Sequence, residues 1–258
     1  MPVSFDKKCQ NKKGNLVSVF RELPHFIFPA RCPGCDKVHP MGEHGFCENC
    51  RNFLQEPEGN LCPCCGKPIE EEEDSCQECS SAKRSFIAGE ALWLYTGGLR
   101  ESMSRFKQGK RAEYGKVYGE MLWKNKKQWI KNIGAAVLVP VPISGKRMRK
   151  RGYNQAELIA GELSIHSGLP MADNLLIRQR DTRPQKVLSR QERMENIRGA
   201  FVCNEVASDW LYLSQKCAIL IDDIYTTGST IDACACALRE AGFERIYFLC
   251  ICNAYLYV

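Results

Sequence analysis

Asp222 and Asp223 stand side by side at the end of an apolar run, Ala218 to Ile221, and a Thr- and Gly-rich turn follows them: Thr226, Thr227, Gly228, Ser229 and Thr230. A helical pattern begins directly after that turn. This order puts two carboxylates and a nest of backbone N–H groups at the carboxyl edge of a parallel sheet, where α/β proteins bind ligands. The N–H groups and the helix N-terminus favour a phosphate, and Gly228 allows close backbone approach. The acids repel that same anion, so they must face ribose hydroxyls or a magnesium ion instead. A ligand with a phosphate at one end and a diol beside it satisfies both halves. An ordinary strand–turn–helix with an acidic rim would use similar residues, but packing seldom calls for paired acids ahead of a phosphate nest.

A different chemistry is concentrated nearer the N-terminus. Cys32, Cys35, Cys47 and Cys50 form CxxC-x11-CxxC, and Cys62, Cys65, Cys76 and Cys79 form CxxC-x10-CxxC. A CxxC pair on a tight knuckle turns both sulfurs toward one metal, and two knuckles complete a tetrahedral structural zinc site. Four pairs therefore make two zinc sites. Successive ribbons and an interleaved cross-brace both suit the spacing, with the near-repeat favouring successive ribbons. Cys64 reads as a spectator, and His39 and His44 are not needed because the cysteine count is complete. So short a segment cannot build a core of its own, so the metals are expected to fold it. A redox role for the pairs is the rival reading, but four pairs at ribbon spacing overdetermine zinc.

The elements that must position the acids follow from periodicity. An extended run, Ile87 to Tyr95, precedes helices from Gly98 to Gln108 and from Glu113 to Trp129. Ala135 to Ile143 is nearly all apolar, as in a strand covered on both faces. Ala156, Ile159, Ala160 and Leu163 mark the apolar face of a helix closed by Gly168. A charged segment, 178–198, leads on to the strand Ala218 to Ile221, a helix from Thr230 to Ala241 stopped by Gly242, and a strand from Tyr247 to Cys252. Strands alternating with helices imply an open, doubly wound, mostly parallel α/β sheet. Six later cysteines (Cys203, Cys217, Cys234, Cys236, Cys250 and Cys252) fall in apolar patterns and read as small buried hydrophobes. The expected organisation is an extension over 1–29, a double cysteine module over 30–82 and an α/β domain over 86–258.

The 36 Lys and Arg outnumber the 30 Asp and Glu, and the excess is uneven: positions 100–151 are basic and 56–74 acidic. A basic face suits polyanions such as nucleic acid or pyrophosphate. The apolar patch Leu16 to Phe20 is too short for a targeting segment and is stopped by Arg21 and Glu22. No apolar run approaches the roughly 20 residues a membrane helix needs. Sixteen cysteines without a secretory signal point to metal binding and free thiols. The expectation is a cytoplasmic protein with no membrane insertion.

The acid-and-turn segment resembles the phosphoribosyl-pyrophosphate (PRPP) motif of type I phosphoribosyltransferases, every element of which is present. Three further segments gain meaning beside it. Lys146, Arg147, Arg149, Lys150 and Arg151 precede Gly152 in a basic, Gly-flanked loop suited to a pyrophosphate. Arg178, Arg180, Thr182, Arg183 and Gln185 offer donors in a lid that could exclude water. Lys107, at the end of a helix, could reach the same anion.

Over a longer span, 32–252, the chain resembles the ComF family. The likeness is carried by PVP-x-S-x-x-R-x-x-x-RGYNQAELIA, by the run from Arg178 to Phe201 containing Arg180, Asp181, Thr182, Gln185, Leu188 and Arg193, and by LIDDIYTTGST. The resemblance implies a type I phosphoribosyltransferase-like fold with an N-terminal double zinc ribbon, two structural Zn²⁺ and a Mg²⁺-PRPP site. Asp222, Asp223 and Arg180 would be catalytic, and Thr226, Thr227, Gly228, Ser229 and Thr230 would hold the PRPP 5′-phosphate. Lys107, Lys146, Arg147, Arg151 and Gly152 would hold pyrophosphate. It further implies a role in natural competence, handling incoming single-stranded DNA beside other DNA-uptake or recombination proteins. An Mg-PRPP-dependent glycosyl transferase is one reading. A single-stranded DNA-binding protein with a regulatory PRPP site is another, with Trp123, Trp129 and Tyr153 as stacking candidates. Nucleobase salvage is a third, disfavoured by the zinc module.

Overall fold

Ala218, Ile219, Leu220 and Ile221 are all fully buried, so the strand they form is covered on both faces. A computed structural model describes residues 30–39, 45–135, 137–179, 199–204, 210 and 216–254. In chain order its elements are α1 (Glu48–Arg51), α2 (Gln77–Ser80), β1 (Ala88–Leu94), α3 (Gly97–Gln108), α4 (Tyr114–Ile133), β2 (Val137–Pro140), α5 (Gly145–Arg151), α6 (Gln155–Ser167), β3 (Leu176–Arg178), β4 (Phe201–Cys203), β5 (Cys217–Tyr225), α7 (Ser229–Glu240) and β6 (Arg245–Asn253). Four strands make a wholly parallel sheet in the order β1-β6-β5-β2, while β3 and β4 pair as a separate antiparallel ribbon. With the cysteine module at its N-terminal side, this is the phosphoribosyltransferase-like, doubly wound α/β arrangement that the alternating periodicity implies.

Successive residues of a strand point to opposite faces, and here each face has its own core. Ala218, Leu220, Phe248 and Cys250 pack against Ile231, Cys234, Ala235 and Leu238 of α7. Ile219, Ile221, Leu249 and Ile251 pack against α3, α4 and α6 through Phe106, Tyr118, Ile159 and Leu163. The two cysteine units divide between these cores. Cys62, Cys65 and Cys76 belong to the α7 side, whereas Cys32, Cys50 and Phe46 belong to the other. Between them they cover the open edge of β1, whose Leu94 N–H donates to Gln55 O (2.7 Å) and whose Gly89 N–H donates to Cys64 O (3.0 Å).

Several elements differ from the sequence reading. β5 does not end at Ile221 but carries Asp222 and Asp223 inside the strand and runs on to Tyr225, because β6 continues alongside it. The basic stretch before Gly152 is a two-turn helix, α5: the Ser144 hydroxyl accepts from the Arg147 N–H, and Gly152, at φ 86°, takes the left-handed turn that ends it. α4 runs beyond Trp129 to Ile133. Cys236 is exposed, whereas Cys217, Cys234, Cys250 and Cys252 are buried as their patterns suggest. No helix among the described residues is long and apolar enough to cross a membrane.

Candidate functional site

The connection after β5 leaves to one face through α7, and the connection after β2 leaves to the other through α5 and α6. β5 and β2 are neighbours, so a crevice opens between their carboxyl ends. Asp222 and Asp223 line this switch point. The Val141 N–H, just past β2, donates to Ile221 O at 2.9 Å and ties the two strand ends together.

The acids are not equivalent. Asp223 is 8% exposed, and Lys107 Nζ lies 2.9 Å from its Oδ1. Asp222 accepts the Asp223 N–H at 2.8 Å. Burial, and then the adjacent Asp223 charge, push the Asp222 carboxyl up to about 7, against the pull of Lys107 and Arg147. Arg151 is partly buried, which lowers its pKa, while Asp223 and Asp222 oppose that shift. Lys107, Arg147, Arg151 and the two acids thus share one electrostatic site. Lys146 and Arg147 are exposed on α5.

Motif residues that read only as a signature turn out to be braces. Tyr153 Oη (2.5 Å) and Gln155 Nε2 (3.2 Å) both donate to Phe106 O, fixing the turn of α3 that carries Lys107. Asn154 caps α6 through its Oδ1 and donates from Nδ2 to Val141 O (3.0 Å), holding the end of β2. Arg151 donates to Gln155 Oε1 at 2.6 Å. The aromatic residues proposed for stacking are engaged internally. Tyr153 packs on Phe106, Trp129 meets Tyr247 edge-on at 5.8 Å, and Trp123 packs against the core.

The turn after β5 has the expected form. Gly228 sits at φ 78°, and a Cβ there would run into the Tyr225 hydroxyl, so the close approach as well as the dihedral requires glycine. Thr227 and Ser229 hydroxyls are 2.8 Å apart. The Asp232 N–H reaches back to Gly228 O, which leaves the first N–H groups of α7 outside the helical ladder. Arg180, Asp181, Thr182, Arg183, Gln185, Leu188 and Arg193 lie outside the described residues.

The thiols of Cys32, Cys35, Cys47 and Cys50 converge within 4.8 Å of one another, as do those of Cys62, Cys65, Cys76 and Cys79. The pairing is therefore successive, not cross-braced. Each unit repeats one design: a knuckle closed by a backbone bond (Asp36 N–H to Cys32 O, Gly66 N–H to Cys62 O) and a one-turn helix after the third cysteine. Four thiolates at this separation fit a structural Zn²⁺ in each unit. The first unit docks through Asp36, which accepts from Arg111 and from Tyr114 Oη, both at 2.6 Å. His39 donates to Gly45 O at 2.6 Å and is not part of either tetrad.

Residues 23–80 match the family described as the double zinc ribbon domain. Competence protein F of Haemophilus influenzae is 27% identical over 223 residues, covering 85% of this chain and 95% of that protein. Competence protein ComFC of Bacillus subtilis is 28% identical over 214 residues, covering 76% and 78%. DNA utilization protein YhgH of Escherichia coli is 25% identical over 228 residues, covering 87% and 97%. The resemblance to the ComF family therefore stands over most of the chain.

Proposed function

We propose that this chain acts in natural competence, binding Mg²⁺-chelated PRPP or a related phosphoribosyl compound at the β5–β2 crevice while handling incoming single-stranded DNA. The observation that carries the reading is the placement of Asp222 and Asp223 at the switch point, in the last residues of β5 just ahead of the Thr226–Thr230 nest. Lys107 already compensates Asp223, so Asp222 is the acid left to order a ribose hydroxyl or a magnesium ion. The donor set fits such a cation, since a positive charge beside Asp222 would offset the burial and the neighbouring Asp223 charge that together raise its pKa. Magnesium, when bound with the ligand, would supply charge neutralisation on the pyrophosphate oxygens. The chain's own part is to seat the 5′-phosphate on the loop N–H groups. Arg147 and Arg151 offer cations for a departing pyrophosphate. Calorimetry with Mg²⁺ and PRPP tests this: the wild type binds, and Asp222→Asn with Asp223→Asn does not. Unchanged affinity in the double variant would sink the assignment.

DNA handling is favoured over base salvage by α5, which exposes Lys146, Arg147, Arg149 and Lys150 beside the crevice. The names of the relatives, competence and DNA utilization proteins, point the same way. Single-stranded DNA binding is expected to weaken steeply with salt, and absence of binding even at low salt would count against it. A screen of nucleobases for PRPP turnover, with and without DNA, separates transferase, salvage and non-enzymatic readings.

A further inference from the structure

The Thr226–Thr230 loop is held from behind by the second cysteine unit. Lys67, 3% exposed, donates through Nζ to Thr226 O at 2.6 Å and pairs with Glu78 Oε1 at 3.2 Å. Arg84 donates from one terminal nitrogen to Thr227 O (3.0 Å) and to Glu78 O (2.6 Å). Lys67 lies two positions after Cys65 on the knuckle that Cys62 N–H closes onto Lys67 O (2.8 Å), and Glu78 lies between Cys76 and Cys79. Both donors are thus set by the knuckles of one tetrad.

The peptide bond makes the consequence specific. In a planar trans peptide the C=O of one residue and the N–H of the next point in opposite directions. Drawing the Thr226 and Thr227 carbonyls onto the cysteine unit therefore turns the Thr227 and Gly228 N–H groups away from it. Tyr225, stacked on Phe248 at 4.7 Å, fills the space beneath, with the Lys67 ammonium 5.6 Å from its ring centroid. A loop left to itself would be free to turn those carbonyls toward an incoming anion and repel it.

We infer that Lys67 and Arg84 are positioning residues for phosphate: the second zinc ribbon holds two loop carbonyls back so that the loop presents N–H groups to the ligand. The inference rests on the reading that this loop holds a phosphate, but its first test does not. Hydrogen exchange across the loop is compared in the wild type, Lys67→Met, Arg84→Gln and Lys67→Arg, with zinc content and unfolding temperature measured beside it. Loop amides are expected to exchange about tenfold faster in the first two variants at full zinc content, with Lys67→Arg restoring most of the protection. Affinity for ribose 5-phosphate should fall about tenfold in the same variants, while affinity for inorganic pyrophosphate, held elsewhere, should change little. Should Lys67→Met fail to fold, Arg84→Gln and Lys67→Arg carry the comparison. Unchanged loop exchange in folded variants overturns the inference. Loosened loops in a protein whose wild type binds no ribose 5-phosphate would support the strut and refute the phosphoribosyl reading.

Discussion

Lys107 Nζ lies 2.9 Å from Asp223 Oδ1, joining the last turn of α3 to the carboxyl end of β5. The side chains keep only 23% and 11% of their exposure, so removing one leaves its partner poorly compensated. Lys107→Met is expected to lower stability by about 2 kcal/mol, less than a fully buried pair would cost. The double variant with Asp223→Asn should recover most of that loss, because no lone charge remains. Denaturant unfolding of the two single variants and the double measures the coupling. A double variant no more stable than Lys107→Met would show that the pair is not its source.

Asp222 gives the site a pH dependence of definite sign. Its folded value of about 7 lies above the ordinary 3.8, so the native protein holds this proton more tightly than the unfolded chain. The contribution of this group to stability is fully present below the unfolded value and is lost as pH rises through about 7. Asn at this position keeps an oxygen for the Asp223 N–H and removes the titration. The stability advantage of Asp222→Asn should therefore widen between about pH 4 and pH 7, at up to about 1.4 kcal/mol per unit, and level off above. Parallel stability curves would refute the raised value. A ligand that needs Asp222 ionised will bind more weakly below that pH.

What the sequence makes legible is local. The two acids, the glycine turn and the four CxxC pairs are each set by residues within a few positions of one another, so type and spacing sufficed. Alternating periodicity likewise announced a two-faced parallel sheet. The strand's continuation through Asp222 and Asp223 was not legible, because carboxylates and Thr carry little strand preference and the extension depends on β6 beside it. Lys67 to Thr226 and Arg84 to Thr227 span 159 and 143 positions, and nothing in either segment marks the other. Lys107 reads from the sequence as a cation at a helix end, yet only the packing of α3 on β5 brings it to an acid. The helix α5 was hidden by its charge: seven residues with no buried side chain give no apolar stripe to detect.

Zinc removal should destabilise the sheet itself, because the cysteine units are built into its two cores. Cys62, Cys65 and Cys76 pack with Phe86, Tyr225 and Phe248, while Cys32, Cys50 and Phe46 pack with Trp93, Met103 and Tyr118. Each unit also adds polar anchors, Asp36 to Arg111 and Tyr114 on one side, Lys67 and Arg84 to the loop on the other. A cysteine unit without its metal has four thiols crowded together and no bond to hold them, so it is expected to open and expose the core beneath. Thermal unfolding followed by circular dichroism, with and without a zinc chelator, is then predicted to show one transition shifted to lower temperature. Cys76→Ser should reproduce most of the shift while releasing the metal of its own tetrad alone. Two separated transitions, an early one with zinc release and a late one unmoved by chelation, would mean that the α/β sheet stands without its ribbons. The shared cores argue for the single transition.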